Sequence, residues 1–123
     1  MPQLVEMDRH VSLFEQMEEQ QVGSVILINT FTVEPEEAHQ LQQAWASDAA
    51  FMKQQPGFIS TQLHRGIGGS CVFFNYAVWE SVEDFKRAFS NPEFQAKMKG
   101  YPSSAAPSPH LLKKVAVAGI CVD

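Results

Sequence analysis

The chain is short of nearly everything that would announce a function. It has two cysteines, Cys71 and Cys121, without CxxC spacing, and four scattered histidines, His10, His39, His64 and His110. Neither set has the spacing of metal ligands, and no Ser/His/Asp or Cys/His arrangement can be assembled from linear positions. Two buried, reduced thiols in a cytoplasmic protein are the expectation for the cysteines. Positive charge is scarce: nine Lys and Arg against fourteen Asp and Glu give a net charge of −5. Without a basic cluster, nucleic acid is excluded as a partner, because phosphate contacts need Lys and Arg. No apolar run approaches the ~20 residues of a membrane span. The opening MPQLVEMDRH has no basic segment leading into an apolar one, so no secretory leader is expected. The glycines at 66, 68 and 69 lack the strand–loop–helix setting of a phosphate cradle.

What is present reads as one globular domain. Hydrophobic residues make up 45% of 123 and charged residues 19%, enough to build a single core. Residues 1–22 are polar and irregular and form an N-terminal arm; residues 23–123 form the domain. Within the arm, Val11, Leu13, Phe14 and Met17 suit a short amphipathic helix or a docking strand, on this subunit or a partner.

Ser24 to Val33, SVILINTFTV, is a strand with apolar residues on both parities, so both of its faces are covered. Asn29 is the exception. An unsatisfied buried amide costs roughly 1–3 kcal/mol, so its partner lies either in the protein or in a ligand. Pro35 begins a helix that runs to about Gln54, where Gln55-Pro56-Gly57 stops it. Ala38, Leu41, Trp45, Ala49 and Met52 form its apolar stripe, and Asp48 borders it. Phe58 to Arg65 and Cys71 to Ser81 then make an antiparallel hairpin. Phe73, Ala77 and Trp79 share one side of its second strand with Asn75, opposite Val72, Phe74, Tyr76 and Val78.

Ser81 caps the next helix with Asp84 three residues on, and Asn91-Pro92 starts a shorter one. Phe94, Met98 and Tyr101 line one side of that second helix. Pro102 to Pro109 reads as an extended, mobile connection, and Leu111 to Cys121 as a last strand. The order is βαββαβ, a ferredoxin-like α+β sandwich: a four-stranded antiparallel sheet with helices on one face. The first and third strands are apolar on both sides. The face away from the helices therefore meets something, and the same face of a second copy, in a homodimer, is the simplest answer.

VILINTFTV, QPGFISTQLHRG, FFNYAVWES and NPEFQAKM, in that order, give residues 23 to 121 a pattern that resembles the antibiotic biosynthesis monooxygenase family of dimeric α/β barrels. The resemblance implies a cofactor-free monooxygenase that turns a small aromatic substrate, an anthrone, quinol or polycyclic phenol, into a quinone with O₂. Asn29 and Trp79 match site positions of that family. Its haem-degrading branch places a His on the short helix, but here Phe94 is followed four residues later by Met98, and the haem ligand is missing. A non-catalytic module binding a small ligand is the third reading.

Each candidate residue also has a plain structural role. Asn29 and Trp79 either position substrate oxygen and O₂ or satisfy backbone and fill core. His64 shares the parity of Phe58, the side expected to face a cavity, and an imidazole suits a general base. It also lies near a hairpin tip, where exposed histidines are ordinary. Asp48 is either a desolvated base or a rim carboxylate paired with Arg65 or Lys97. Phe31, Phe58, Phe73, Phe85, Phe89, Met52 and Met98 are the expected lining of a flat aromatic pocket, and equally of a core.

Overall fold

A computed structural model describes residues 4–19 and 23–122. Its elements are α1 (Leu13–Met17), β1 (Val25–Thr32), α2 (Ala38–Met52), β2 (Phe58–Arg65), β3 (Val72–Trp79), α3 (Val82–Phe89), α4 (Pro92–Lys97) and β4 (Ser108–Leu112). The four strands form one antiparallel sheet in the order β2-β3-β1-β4. The expected ferredoxin-like architecture is therefore observed. No helix of the described residues is long and apolar enough to cross a membrane.

One sheet face carries the core. Val25, Leu27 and Phe31 of β1 and Phe73, Ala77 and Trp79 of β3 are buried on it. Near the C-terminal end of β3 they pack against Val82, Phe85 and Ala88 of α3 and against Leu13 and Met17 of α1. At the other end they pack against Ala38, Leu41 and Ala44 of α2 and against Tyr101. The core thus falls into two clusters.

Local chemistry sets the junctions. A 3₁₀ turn over Pro35–Glu37 precedes α2. Ser81 Oγ accepts from the Asp84 N–H at 3.0 Å and donates to Asp84 Oδ2 at 2.8 Å, so the cap on α3 forms as expected. Gly57 has φ +87°, and a Cβ there would collide with the Asp84 carboxylate. The proline-glycine stop before β2 is thus tied to the α3 cap. In the arm, Ser12 and Glu15 close a capping box on α1. Gln16 then pairs with both backbone groups of Leu111: Oε1 accepts from its N–H and Nε2 donates to its C=O, each at 2.9 Å. A short helix outside the sheet thereby satisfies part of an edge strand.

Four expectations are corrected. The sheet's last strand is Ser108–Leu112, not Leu111 to Cys121. It runs antiparallel to β1 until Leu112 meets Ile26, one residue from the start of β1, where its pairing partner ends. Beyond it, residues 113–122 are exposed, with a lone bridge between Val117 and Cys121. Cys121 is accordingly exposed rather than buried. The connection expected to be mobile is instead a seam of the core. Pro102 and Pro107 are fully buried, and the Ala106 N–H bonds to the Thr32 carbonyl.

The fourth correction concerns His64. β2 pairs Phe58 with Trp79 but Ser60 with Val78, so an irregularity at Ile59 inserts one residue on the β2 side. A bulge of this kind reverses the facing of every later residue. Thr61, Leu63 and Arg65 then stand opposite Ala77, Asn75 and Phe73, while His64 stands opposite Phe74. His64 therefore lies on the other face, where it is exposed and its Nδ1 sits 3.2 Å from the Phe74 carbonyl.

Candidate active site

Between the two core clusters, sheet and helices enclose a cavity of about 60 Å³. Its floor comes from β1 and β3. In their register Leu27 is opposite Ala77 and Asn29 opposite Asn75, and all four line it. The roof comes from α2, where Trp45, Asp48, Ala49 and Met52 follow one another at helical spacing on the cavity side. Phe85, Phe89, Phe94, Met98, Tyr101, Pro107 and Pro109 line the rest of it.

The two asparagines are held in the same way. Asn29 Oδ1 accepts the Ser108 N–H at 2.8 Å. Asn75 Oδ1 accepts the Thr61 hydroxyl at 2.6 Å. With both oxygens engaged by protein donors, the amide NH₂ ends are left for the cavity. The sequence posed a protein partner or a ligand for Asn29, and the geometry supplies the first while leaving room for the second. Trp79 is 1% exposed, its ring held edge-on by Phe58 and Phe85 at 5.5 and 5.8 Å between centroids. Adjoining strands thus bring two amides and one indole to a largely apolar space.

Asp48 faces the same space from α2. The Tyr101 hydroxyl donates to Asp48 Oδ2 at 2.8 Å, and Tyr101 stacks on Phe31 at 5.5 Å. Asp48 Oδ1 is buried without a hydrogen-bond partner among the described residues. Burial pushes the Asp48 carboxyl up to about 6, against the Tyr101 hydrogen bond and the positive charge of Lys97, which both lower it. Burial also drives the Tyr101 phenol far above its usual range, with the neighbouring carboxylate adding to the effect. Asp48 is thus not the rim carboxylate that would pair with Arg65. Arg65 donates to the Ser70 carbonyl at 2.7 Å and lies over the Phe73 ring.

Of the residues expected at a site, Asn29, Trp79, Phe31, Phe58, Phe85, Phe89, Met52 and Met98 line the cavity. His64 and Phe73 do not. Phe73 is wholly buried in the cluster with Leu41 and Tyr101. Asn75, Thr61 and Tyr101 were not among the expected site residues, although Asn75 shares the parity of Trp79. The arm contributes Leu4, at the boundary between this cavity and an outer groove of about 430 Å³. Leu4, Phe89, Met98 and Pro107 border both spaces. In this conformation the inner cavity has room for only a few water molecules.

The described residues contain no cluster of three or more His, Cys, Asp or Glu able to hold a metal. The fit to haem is also poor. No histidine lies among the described lining residues, and His110, whose Nε2 contacts Gln16 at 3.1 Å, belongs to the arm–β4 junction.

Comparison with known proteins matches this architecture to enzymes. Deoxynogalonate monooxygenase of Streptomyces nogalater is 36% identical over 70 residues, 57% of this chain and 58% of that protein. The match thus spans somewhat over half the length of that curated relative. The crystal structure of SnoaB, a cofactor-independent oxygenase from Streptomyces nogalater, superposes with a TM-score of 0.71 at 26% identity, over 80% of this chain and 99% of that one. A protein from Shewanella loihica PV-4 gives 0.67 at 31% identity, covering 79% and 99% of the two chains. The antibiotic biosynthesis monooxygenase model matches residues 24–100, most of the sheet and all three helices that follow β1. The chain belongs to the antibiotic biosynthesis monooxygenase family.

Proposed function

We propose that this protein is a cofactor-independent monooxygenase that oxidises a polycyclic phenol, anthrone or quinol to a quinone with O₂. The observation that carries the reading is the paired amides of Asn29 and Asn75 beside the Trp79 indole, in an apolar cavity of a fold shared with a cofactor-independent oxygenase. The substrate loses a proton to give an electron-rich anion, which passes an electron to O₂. Radical recombination forms a carbon–oxygen bond, and the hydroperoxide collapses to quinone and water. For an anthrone the balance is ArCH₂ + O₂ → ArC=O + H₂O.

Much of the driving force lies in the substrate's own electronics. The protein's part is a dry, shaped space and donors aimed where negative charge grows, the role we assign to Asn29, Asn75 and Trp79. Phe31, Phe58, Phe85, Phe89, Met52 and Met98 provide flat apolar walls. A three-ring substrate exceeds the inner cavity, so it reaches into the outer groove by displacing the partition formed by Leu4, Phe89 and Met98. Methionine suits that task because its side chain repacks easily.

The working unit of the proposal is a cytoplasmic homodimer. Ile26, Ile28, Phe74, Tyr76 and Val78 lie on the sheet face that no helix of the described residues covers, and Tyr76 and Val72 are 38% and 46% exposed there. A second copy of that face is the self-complementary cover.

Oxygen uptake by purified, metal-free protein with a panel of anthrones and quinols tests the activity. Substrate-dependent uptake with quinone formation is the expected result. Absence of uptake, with saturable ligand binding, would replace catalysis by a binding role.

A further inference from the structure

From the geometry we infer that Asp48 is the proton acceptor of the site, with Oδ1 turned to the substrate and Tyr101 holding Oδ2. This deepens the oxygenase reading and rests on it. Asp48 and Tyr101 are the two titratable groups among the described residues that line the cavity. Everything else on the wall is amide, hydroxyl, indole, thioether or hydrocarbon.

Three observations converge on the carboxylate. The Tyr101 hydroxyl is spent on Oδ2, which fixes the rotamer of Asp48 and leaves one oxygen for chemistry. That oxygen is buried and has no partner among the described residues, a condition that costs free energy in the resting protein and is relieved when a proton arrives. The carboxyl is also matched to its task. A base that titrates near 6 is mostly ionised at neutral pH, yet basic enough to take a proton from an acidic phenol or carbon acid. Tyr101 cannot fill this role, because its phenol is held neutral by the same burial and by Asp48 itself.

The charged groups around Asp48 are few. Lys97 at the end of α4 is the cation that acts on it, and its Nζ donates to Ser47 Oγ at 3.1 Å. From the sheet side Asp48 faces Asn29, Asn75, Thr61 and Trp79, none of which titrates near neutrality. In the step itself the substrate C–H or O–H bond breaks and an Oδ1–H bond forms. The electron pair stays on the substrate as enolate or phenolate, and O₂ is the oxidant that follows. Tyr101 is a positioning residue, and Lys97 tunes the carboxylate.

The experiment uses the full-length protein with a hydroxyanthrone, read in two ways. Under anaerobic conditions, visible absorbance reports ionisation of the bound ligand; in air, kcat/KM for O₂ uptake is followed against pH. The parent should ionise the bound ligand at neutral pH and show an acid limb in kcat/KM near 6, where the carboxyl titrates. Asp48→Asn should lose the ionisation signal, lose the limb, and fall in kcat by about 10²–10⁴-fold. Tyr101→Phe removes a contact that lowers the carboxyl, so its limb should move to higher pH, an effect that mere loosening of the core would not produce. Retention of ligand ionisation and an unmoved acid limb in Asp48→Asn would overturn the assignment while leaving the oxygenase reading intact. Anaerobic ionisation by the parent, lost in Asp48→Asn, would support it even if O₂ uptake failed and the oxygenase reading fell.

Discussion

Asn29 and Asn75 stand directly opposite each other across the β1–β3 pair, and each has its side-chain oxygen occupied by a protein donor. Opposed residues in an antiparallel pair are close enough to act on one ligand atom. Two NH₂ groups supported in this way form a rigid donor pair whose orientation is set before any ligand arrives.

Losing a donor should therefore slow turnover more than it weakens binding. Asn75→Ala and Trp79→Phe are expected to reduce kcat by about 10–10³-fold, the range for a donor that stabilises developing charge. Asn29→Ala should do the same and also lower the melting temperature, because it strands the Ser108 N–H. Asn29→Asp keeps an acceptor for Ser108 while removing the donor, so steady-state kinetics and thermal melts together separate the two roles.

His64→Ala should leave kcat/KM within about twofold of the parent. The bulge at Ile59 puts the imidazole on the face away from the cavity. A large loss of activity in a protein that still assembles normally would put the base back on β2.

The carboxyl of Asp48 carries a stability consequence with a definite sign. Its folded pKa, about 6, lies above the ordinary 3.8. The fold therefore favours the protonated form, and this contribution is full below about pH 4 and lost as pH rises through about 6. The total difference is about 3 kcal/mol as an upper figure, from 1.36 kcal/mol per pK unit. Asp48→Asn resembles the protonated group, so urea titrations should find it gaining stability relative to the parent between pH 4 and 7. A constant difference across that range would show that Asp48 titrates normally.

The open sheet face should hold two copies together. Size-exclusion chromatography with light scattering should give a dimer at micromolar concentration, and Tyr76→Lys should shift it towards monomer. A monomeric parent would leave that apolar face without the partner proposed for it.

Much of this protein was legible in its residues. The two-sided apolar pattern of Ser24 to Val33, the Pro35 start, the Gly57 stop and the Ser81 cap are local signals with local causes. Together they determined the βαββαβ order and a sheet with one face left over. Parity grouped Asn29 with Leu27 and Phe31 and Trp79 with Asn75 and Ala77, because side chains alternate along a regular strand, and the family resemblance set both groups at one site.

Tertiary structure decided the rest. A single inserted residue at Ile59 cannot be seen in an alternating pattern, and it turned His64 outward and brought Thr61 in to hold Asn75. The 102–109 segment looks like a mobile linker by composition, yet its prolines are buried, because Ala106 bonds to Thr32 and Ser108 and Pro109 already pair with β1. The sequence left Asp48 open between base and solvated rim. Burial opposite the sheet and the hydroxyl of Tyr101, 53 residues away, made it a desolvated carboxylate with one oxygen free. Its ionisation depends on what surrounds it in space, and spacing along the chain does not record that.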